Sequence, residues 1–324
     1  MEHTPCLLCG GDDPVPVITT SAHMYNESAE EFHFVRCADC GLIYLNPRVE
    51  PAQLGAYYPD YYLPYRGPAA WGRFAGIAET GLRITDRKRS RVAERALRRV
   101  AGETGRTHLS LLDVGCGKPS FLAALRDRRP DLDLTGIDFS SSGWADDPEE
   151  WHGLNLMERE PASFEPAAGS RPDLITMWHY LEHDYAPRAT LERMRDIAHG
   201  QTRLIIEVPD FNSLPRLFYG ASWEGFHAPR HTAVYTRATL TEMLAAAGWE
   251  VEGYTTAGTL DIYALWWMSS MEKRNIDWSA SLESRFPTFL FGRILASPLF
   301  TLGRLVPLGV QLVTARPHTV IPNR

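Results

Sequence analysis

The chain has 324 residues, of which 44% are hydrophobic and 23% are charged, and its formal net charge is -7. This length and composition predict a globular protein with one large and one small domain, each able to bury a hydrophobic core. The negative charge argues against a nucleic-acid partner, because proteins that bind a phosphate backbone are usually basic.

The N-terminus has no basic segment followed by an apolar stretch, so we expect no secretory signal and a cytoplasmic protein. Thiols stay reduced in the cytoplasm and bind metal more often than they form disulfides. Four of the five cysteines form two C-x-x-C pairs, each followed by glycine; they are Cys6, Cys9, Cys37 and Cys40. Two such pairs complete the tetrahedral sulfur site that is typical of structural zinc. We predict a zinc-ribbon module over residues 1–48, with a redox-active dithiol as the alternative.

Residues 49–107 form a linking region with two features. Residues 57–65 contain five tyrosines and two prolines, which suits either a loop over a pocket or an aromatic staple between two domains. Residues 83–99 are rich in arginine and carry apolar residues at helical spacing. We predict a helix there with one solvated basic face.

From residue 109 onward, strands and helices alternate, which predicts a parallel sheet covered by helices on both faces. The predicted strands are 109–114, 132–138, 153–157, 173–178, 202–208, 249–255 and 309–315. The predicted helices are 119–129, 186–199 and 237–247, the last of them capped by Gly248.

The first of these strands runs into a turn that contains Asp113, Gly115 and Gly117, and a helix follows. Glycines at such a turn let the backbone approach a ligand, at the point where open α/β sheets bind nucleotides. The second strand ends at Asp138, whose carboxylate is placed to accept hydrogen bonds from ribose hydroxyls. A dinucleotide site has a third glycine where this chain has Ser120, which disfavours a dinucleotide.

The arrangement D-x-G-x-G resembles motif I of the class I S-adenosylmethionine-dependent methyltransferases, and the resemblance extends over nearly the whole chain. Residues 181–183 resemble the "LEH" segment of that family, and residues 229–231 resemble its "PRH" segment. Residues 207–209, at the end of the fifth strand, also resemble the corresponding segment of the family. The four-cysteine ribbon resembles that of zinc-containing methyltransferases of polysaccharide and natural-product biosynthesis, including in part the deoxysugar C-methyltransferases.

This resemblance implies that S-adenosylmethionine is the cofactor. Gly115 and Gly117 are then expected beside its methionine part, Asp113 near its amino group, and Asp138 at its ribose. Pro119 stands where the family often has glycine. Proline is acceptable in the first turn of a helix, so we expect the chain to bind the cofactor. The alternative interpretation of Pro119 is a degenerate, non-catalytic cofactor site.

The resemblance also implies a Rossmann-like α/β fold with a seven-stranded sheet, whose last strand is antiparallel. On this pattern the methyltransferase domain comprises residues 108–257 with 309–324. Residues 258–308 then form an apolar helical insertion before the last strand.

Residues 286–307 are the most apolar part of this insertion. Arg293 and Arg304 interrupt the stretch, and Pro298 and Pro307 are expected to break a helix, so we predict no transmembrane span. One interpretation is two helices lying in a membrane interface, which makes the protein membrane-peripheral. The other is a cover over the acceptor pocket or a dimer contact.

Methyl transfer requires an acceptor that is held in line with the methyl group and relieved of a proton, a task that suits neutral histidine. Four histidines lie at or near the ligand-binding edge of the predicted sheet; they are His179, His183, His227 and His231. The resemblance to the sugar C-methyltransferases implies that His183 and His231 lie in the active site and that His231 is the base. Arg230 stands where those enzymes have glutamate, which favours an anionic acceptor. The alternative is that these histidines only cap a loop or helix.

The sequence therefore predicts transfer of a methyl group from S-adenosylmethionine to a small biosynthetic intermediate, a sugar or another natural-product scaffold. Carbon, oxygen and nitrogen acceptors all stay open. The alternatives are an RNA methyltransferase that docks through the zinc module, and a cofactor-binding scaffold without catalysis.

Overall fold

The computed structural model describes residues 1–26, 30–167, 169–300 and 305–318. Within these residues the strands are β1 (Pro14–Ser21), β2 (Glu31–Cys37), β3 (Ile43–Leu45), β4 (Ser110–Val114), β5 (Asp133–Asp138), β6 (Asn155–Glu158), β7 (Leu174–Trp178), β8 (Arg203–Pro209), β9 (Ala233–Val234), β10 (Trp249–Thr255) and β11 (Val310–Pro317). The α-helices are α1 (Leu63–Arg66), α2 (Ala75–Thr104), α3 (Ser120–Arg128), α4 (Pro187–Ile197), α5 (Leu214–Tyr219), α6 (Arg237–Ala246), α7 (Ile262–Lys273) and α8 (Phe286–Phe300).

Seven strands form one sheet in the order β10-β11-β8-β7-β4-β5-β6. The central pairs are parallel, and β11 runs antiparallel between β8 and β10. The strands β7 and β8 are buried at every residue, as expected for strands with helices on both faces. This arrangement confirms the predicted Rossmann-like α/β fold with its antiparallel last strand.

The parallel strands bring several polar segments to one edge of this sheet, which we call the C-terminal edge. The strand β4 leads into Gly115, β5 ends at Asp138, and β7 is followed directly by His179. Because the carboxyl ends of parallel strands meet at the same edge, residues that are far apart in sequence become neighbours there. The predicted cofactor turn and the predicted histidines therefore share one edge.

A second sheet is antiparallel, in the order β1-β2-β3-β9. Its last strand comes from the second half of the chain, since Ile43 pairs with Val234 and Tyr44 with Ala233. The two sheets also share one hydrophobic core, in which Leu42 and Tyr44 lie with residues of β7 and β8. The small sheet thus packs directly on the large one. The domain boundary at residue 48 stays a prediction.

The insertion between β10 and β11 contains the helices α7 and α8, and its residues 301–304, including Arg304, lie outside the described part of the chain. The expectation that Pro298 breaks a helix is wrong, because α8 runs through this residue to Phe300. Proline removes one hydrogen bond to the carbonyl four residues earlier. That carbonyl belongs to Ile294, whose side chain is exposed, so water can serve as the donor instead.

One face of α8 exposes large apolar side chains. Phe291 and Leu295 are 70% and 72% exposed, and Ile294 lies on the same face. The opposite side of the helix packs into an aromatic cluster with α7 and the segment before α2. No helix in the described part of the chain is long and apolar enough to cross a bilayer.

Candidate active site

The turn after β4 has the backbone geometry that its glycines permit. Gly115 and Gly117 have φ angles of +71° and +47°, in the region that favours glycine. A Cβ atom at Gly115 would lie 2.2 Å from the ring of Tyr180, so only glycine fits there. The N–H of Gly117 donates to Oδ2 of Asp138 at 2.9 Å, which ties the turn to the end of β5.

Two carboxylates flank this turn, and both are buried. Burial raises the pKa of Asp113 to about 7, although a hydrogen bond from Thr176 at 2.6 Å opposes the shift. Burial also raises the pKa of Asp138, opposed by the backbone N–H groups of Gly117 and Ser140. A cation or a further hydrogen-bond donor bound nearby would therefore stabilise the ionised form of either carboxylate.

His179 lies between two buried carboxylates at the end of β7. Its Nδ1 donates to Glu182 and its Nε2 to Glu207, each at 3.0 Å. Burial disfavours the charged ring, but these two hydrogen bonds outweigh it and raise the pKa of His179 to about 9. A protonated ring that donates from both nitrogens has no lone pair to accept a proton.

The other three predicted histidines form a cluster beside this ion pair. The ring centroid of His231 lies 4.4 Å from that of His183 and 5.0 Å from that of His227. Burial lowers the pKa of His183, and it lowers the pKa of His227 and His231 well below the ordinary value. All three rings are therefore neutral near pH 7.

The tyrosine-rich segment covers this cluster. The hydroxyl of Tyr62 donates to Nε2 of His227 at 2.7 Å, and Nδ1 of His227 donates to Glu224 at 2.5 Å. Burial and the nearby negative charge of Asp138 raise the pKa of Tyr65. The segment also packs against α7, so it joins the histidines to the insertion.

Arg230 forms contacts within the protein, whereas its charge had suggested a contact with an anionic acceptor. Its side chain is fully buried, and both Nη atoms donate to the backbone carbonyl of His23, at 2.9 and 2.6 Å. Its guanidinium also lies over the ring of Tyr62, 4.4 Å from the centroid. These contacts give no support to an anionic acceptor and make Arg230 a brace between the histidine loop and the N-terminal segment.

Sequence reasoning gave no individual role to four residues that build this pocket; they are Tyr62, Glu182, Glu207 and Glu224. Tyr62 and Glu182 lie in segments that the sequence analysis singled out, and Glu207 is an acid within a strand that is otherwise mostly apolar. Such a residue predicts a buried partner, but the sequence does not say which. The partners come from other elements and meet only in the folded chain.

The four paired cysteines converge at one end of the small sheet. The Sγ atoms of Cys6 and Cys40 are 3.4 Å apart, and those of Cys9 and Cys37 are 3.5 Å apart. All four ligand atoms lie within 4.8 Å of one another. A tetrahedral zinc ion with Zn–S bonds of about 2.3 Å separates its sulfurs by about 3.8 Å, so the cluster can hold such an ion.

The solved structure of the plantazolicin methyltransferase BamL, in complex with a triazolic desmethylPZN analog and SAH, has a similar fold. The TM-score is 0.51 and the identity 16%, over 83% of this chain and 94% of that chain. The match to the Burkholderia thailandensis 1,6-didemethyltoxoflavin-N1-methyltransferase covers 94% of this chain and 100% of that chain, with a TM-score of 0.48 and 14% identity. At such identities the likeness to BamL shows the fold alone. No curated protein matches the chain.

A family model described as a methyltransferase domain matches residues 85–253. This range contains β4 to β9, the glycine turn and all four histidines of the site. Since the match spans more than half of the 324 residues, the chain belongs to the methyltransferase-domain family.

Proposed function

We propose that this protein transfers the methyl group of S-adenosylmethionine to a small biosynthetic intermediate, a sugar or another natural-product scaffold. The observation that supports the proposal is that the predicted cofactor residues and the neutral histidines lie at the same edge of the large sheet. The glycine turn and Asp138 lie there, and the neutral histidines His183 and His231 lie at the same edge. A cofactor and an acceptor bound at these two places would share one edge of the sheet, as transfer between them requires.

The residues of the turn fit S-adenosylmethionine. A Cβ atom at Gly117 would meet no atom within 4 Å, so there is open space beside the backbone. Each oxygen of Asp138 accepts one backbone hydrogen bond and keeps a lone pair for a ribose hydroxyl. Burial disfavours the ionised form of Asp113 and raises its pKa. A positive charge nearby, such as the amino group of the cofactor, would stabilise that ionised form.

We propose His183 and His231 as the catalytic residues, with His231 as the base. When bound, the cofactor supplies a methyl group on sulfonium, so the chain has to position the acceptor and remove its proton. His231 is neutral, and Nδ1 of its ring is held by the carbonyl of Gly225 at 2.9 Å. Since Nδ1 donates, Nε2 carries the lone pair. His179 acts as a positioning residue, because its ring is committed to Glu182 and Glu207.

We also propose that the four cysteines bind structural zinc. The two knuckles have the same hydrogen bonds, from the N–H of Gly10 to Cys6 and from that of Gly41 to Cys37. Both glycines have positive φ angles, as the tight turn after each pair requires. Four protein ligands close the coordination sphere, which is typical of a site that stabilises structure.

Substitution of Cys9 by Ser is expected to lower the zinc content of the purified protein by one equivalent per chain. Loss of this zinc should also raise amide exchange in β3 and β9, because these strands pair with each other. The matched control is Cys116→Ala, which changes the one cysteine outside the cluster. Metal analysis and hydrogen exchange check both points, and unchanged zinc in Cys9→Ser contradicts the assignment.

Substitution of Asp138 by Ala should weaken S-adenosylmethionine binding by roughly 1.5–3 kcal/mol, or about 10- to 150-fold, the range for a hydrogen bond to a charged group. Isothermal titration calorimetry measures the change. Asp133→Ala serves as the control, because this exposed acid lies at the other end of the same strand. Equal affinities in wild type and Asp138→Ala place the ribose elsewhere.

Substitution of His231 by Ala should lower turnover by roughly 10²- to 10⁴-fold, the usual contribution of a general base. Cofactor affinity should stay nearly unchanged, since His231 lies on the acceptor side. Turnover is measured as release of S-adenosylhomocysteine with a panel of sugar derivatives and hydroxylated natural-product scaffolds. His108→Ala is the control, because this histidine is exposed and lies two residues before β4. A variant within a few-fold of wild type removes His231 from the mechanism.

We propose, finally, that the exposed face of α8 contacts a membrane surface. The helix has no acidic residue, its one charged residue, Arg293, forms an ion pair with Asp261, and Leu305 beyond the helix is 81% exposed. Such a face suits the boundary between headgroups and acyl chains.

The protein should therefore sediment with phosphatidylglycerol-containing vesicles, and the double variant Phe291→Ser/Leu295→Ser should do so several-fold less. Val15→Ser is the control, because it removes an exposed apolar residue from the small sheet instead. Wild-type protein that stays in the supernatant contradicts the proposal. So does a dimer that the double variant dissociates, since the face would then belong to a second copy.

A further inference from the structure

Three side chains of the candidate active site bring metal-ligating atoms together. Glu182, His183 and His231 each offer one such atom, and these atoms lie within 4.8 Å of one another. Glu182 is fully buried and His231 nearly so, whereas His183 is half-buried. The group is therefore held firmly on one side and stays accessible on the other.

Each imidazole is held by a hydrogen bond from its Nδ1. Nδ1 of His183 donates to the carbonyl of Arg230 at 3.1 Å, and Nδ1 of His231 donates to the carbonyl of Gly225 at 2.9 Å. A neutral ring that donates from Nδ1 carries its lone pair on Nε2. Histidines that bind metal usually have their other nitrogen bonded in this way, which sets both the tautomer and the ring plane.

The carboxylate is fixed as well, and one of its oxygens lacks a partner. Oε1 of Glu182 accepts from His179 at 3.0 Å, whereas Oε2 is buried and has no hydrogen bond among the described residues. A buried carboxylate oxygen without a partner is costly, and native structures rarely leave one. A cation beside Oε2 removes this cost.

We propose that Glu182, His183 and His231 bind a divalent transition-metal ion, at a site separate from the four cysteines. Two imidazoles and one carboxylate suit ions such as Mn²⁺, Zn²⁺, Co²⁺ or Fe²⁺ and leave coordination positions open. This inference rests on the proposed function, because two of the three ligands are the histidines proposed as the catalytic residues.

The ion refines the part played by His231. With a cation bound, the Nε2 lone pair of His231 would be occupied, so in the metal-bound protein this residue would hold the ion and would not itself take the proton. An acceptor oxygen that coordinated the ion would have a lowered pKa and would release its proton to solvent water before it received the methyl group. The acceptor class is then a molecule with a hydroxyl, enol or carboxylate oxygen at or next to the methylated atom.

The test is a titration of the full-length protein with Mn²⁺, in which electron paramagnetic resonance measures the free ion. The protein is first dialysed against metal-free buffer without a strong chelator, so that zinc stays at the cysteines. Mn²⁺ prefers oxygen and imidazole ligands over thiolates, so the cysteine cluster contributes little. We expect one saturable site per chain, weakened by about 10-fold or more in His183→Ala and in His231→Ala. The matched control, His108→Ala, should bind as wild type does.

Absence of a saturable site in wild type overturns the inference, and so does binding that both variants leave unchanged. Zinc retained at the cysteines of each variant shows that the variant is folded. S-adenosylmethionine affinity is measured on the same samples. Protein that binds S-adenosylmethionine but no Mn²⁺ contradicts the cation site alone, whereas protein that binds no S-adenosylmethionine contradicts the proposed function.

Discussion

The buried ion pair around His179 connects the parts from which the site is built. Its ring lies between Glu182, which follows β7, and Glu207, which lies within β8. Glu207 also accepts hydrogen bonds from the backbone and side chain of Thr259, at the start of the insertion. The carbonyl of Glu182 accepts from Thr232, next to the histidine loop. Two buried carboxylates are tolerated here because a protonated ring lies between them.

This arrangement links the small sheet to the histidines. The strand β9 begins two residues after His231 and pairs with β3, so the position of the histidine loop depends on the cysteine-bearing sheet. On the other side, Arg230 fixes the same loop to the backbone of His23. A metal bound by the four cysteines would therefore stabilise the histidine loop, although the metal itself lies outside the candidate site. The insertion closes the assembly through the aromatic cluster that α7 and α8 share with Tyr62.

Local patterns predicted most of the fold. The alternation of predicted strands and helices placed the strands of the large sheet with bounds that are correct to within about two residues. The bounds of β10, Trp249–Thr255, match the prediction. The cysteine pairs and the glycine turn were predicted from spacing, because their chemistry depends on residues that are close in sequence. The fold could be inferred because parallel strands have few ways to connect.

Contacts between distant segments could not be read in this way. Nothing in the sequence pairs Tyr62 with His227, which are 165 positions apart, or orients His179 toward two carboxylates. Arg230 was misinterpreted for the same reason, since a charge in a loop gives no sign that it is buried against a carbonyl. Pro298 was misjudged because a helix tolerates proline where water can reach the freed carbonyl.

We propose that one sheet edge holds the cofactor at the glycine turn and the acceptor at the histidines. A crystal structure of the protein with bound S-adenosylhomocysteine would show whether this is so. We expect ribose hydroxyls within hydrogen-bond distance of Asp138, with the sulfur directed toward His183 and His231. A ligand bound away from the glycine turn, or a sulfur directed away from these histidines, would contradict it.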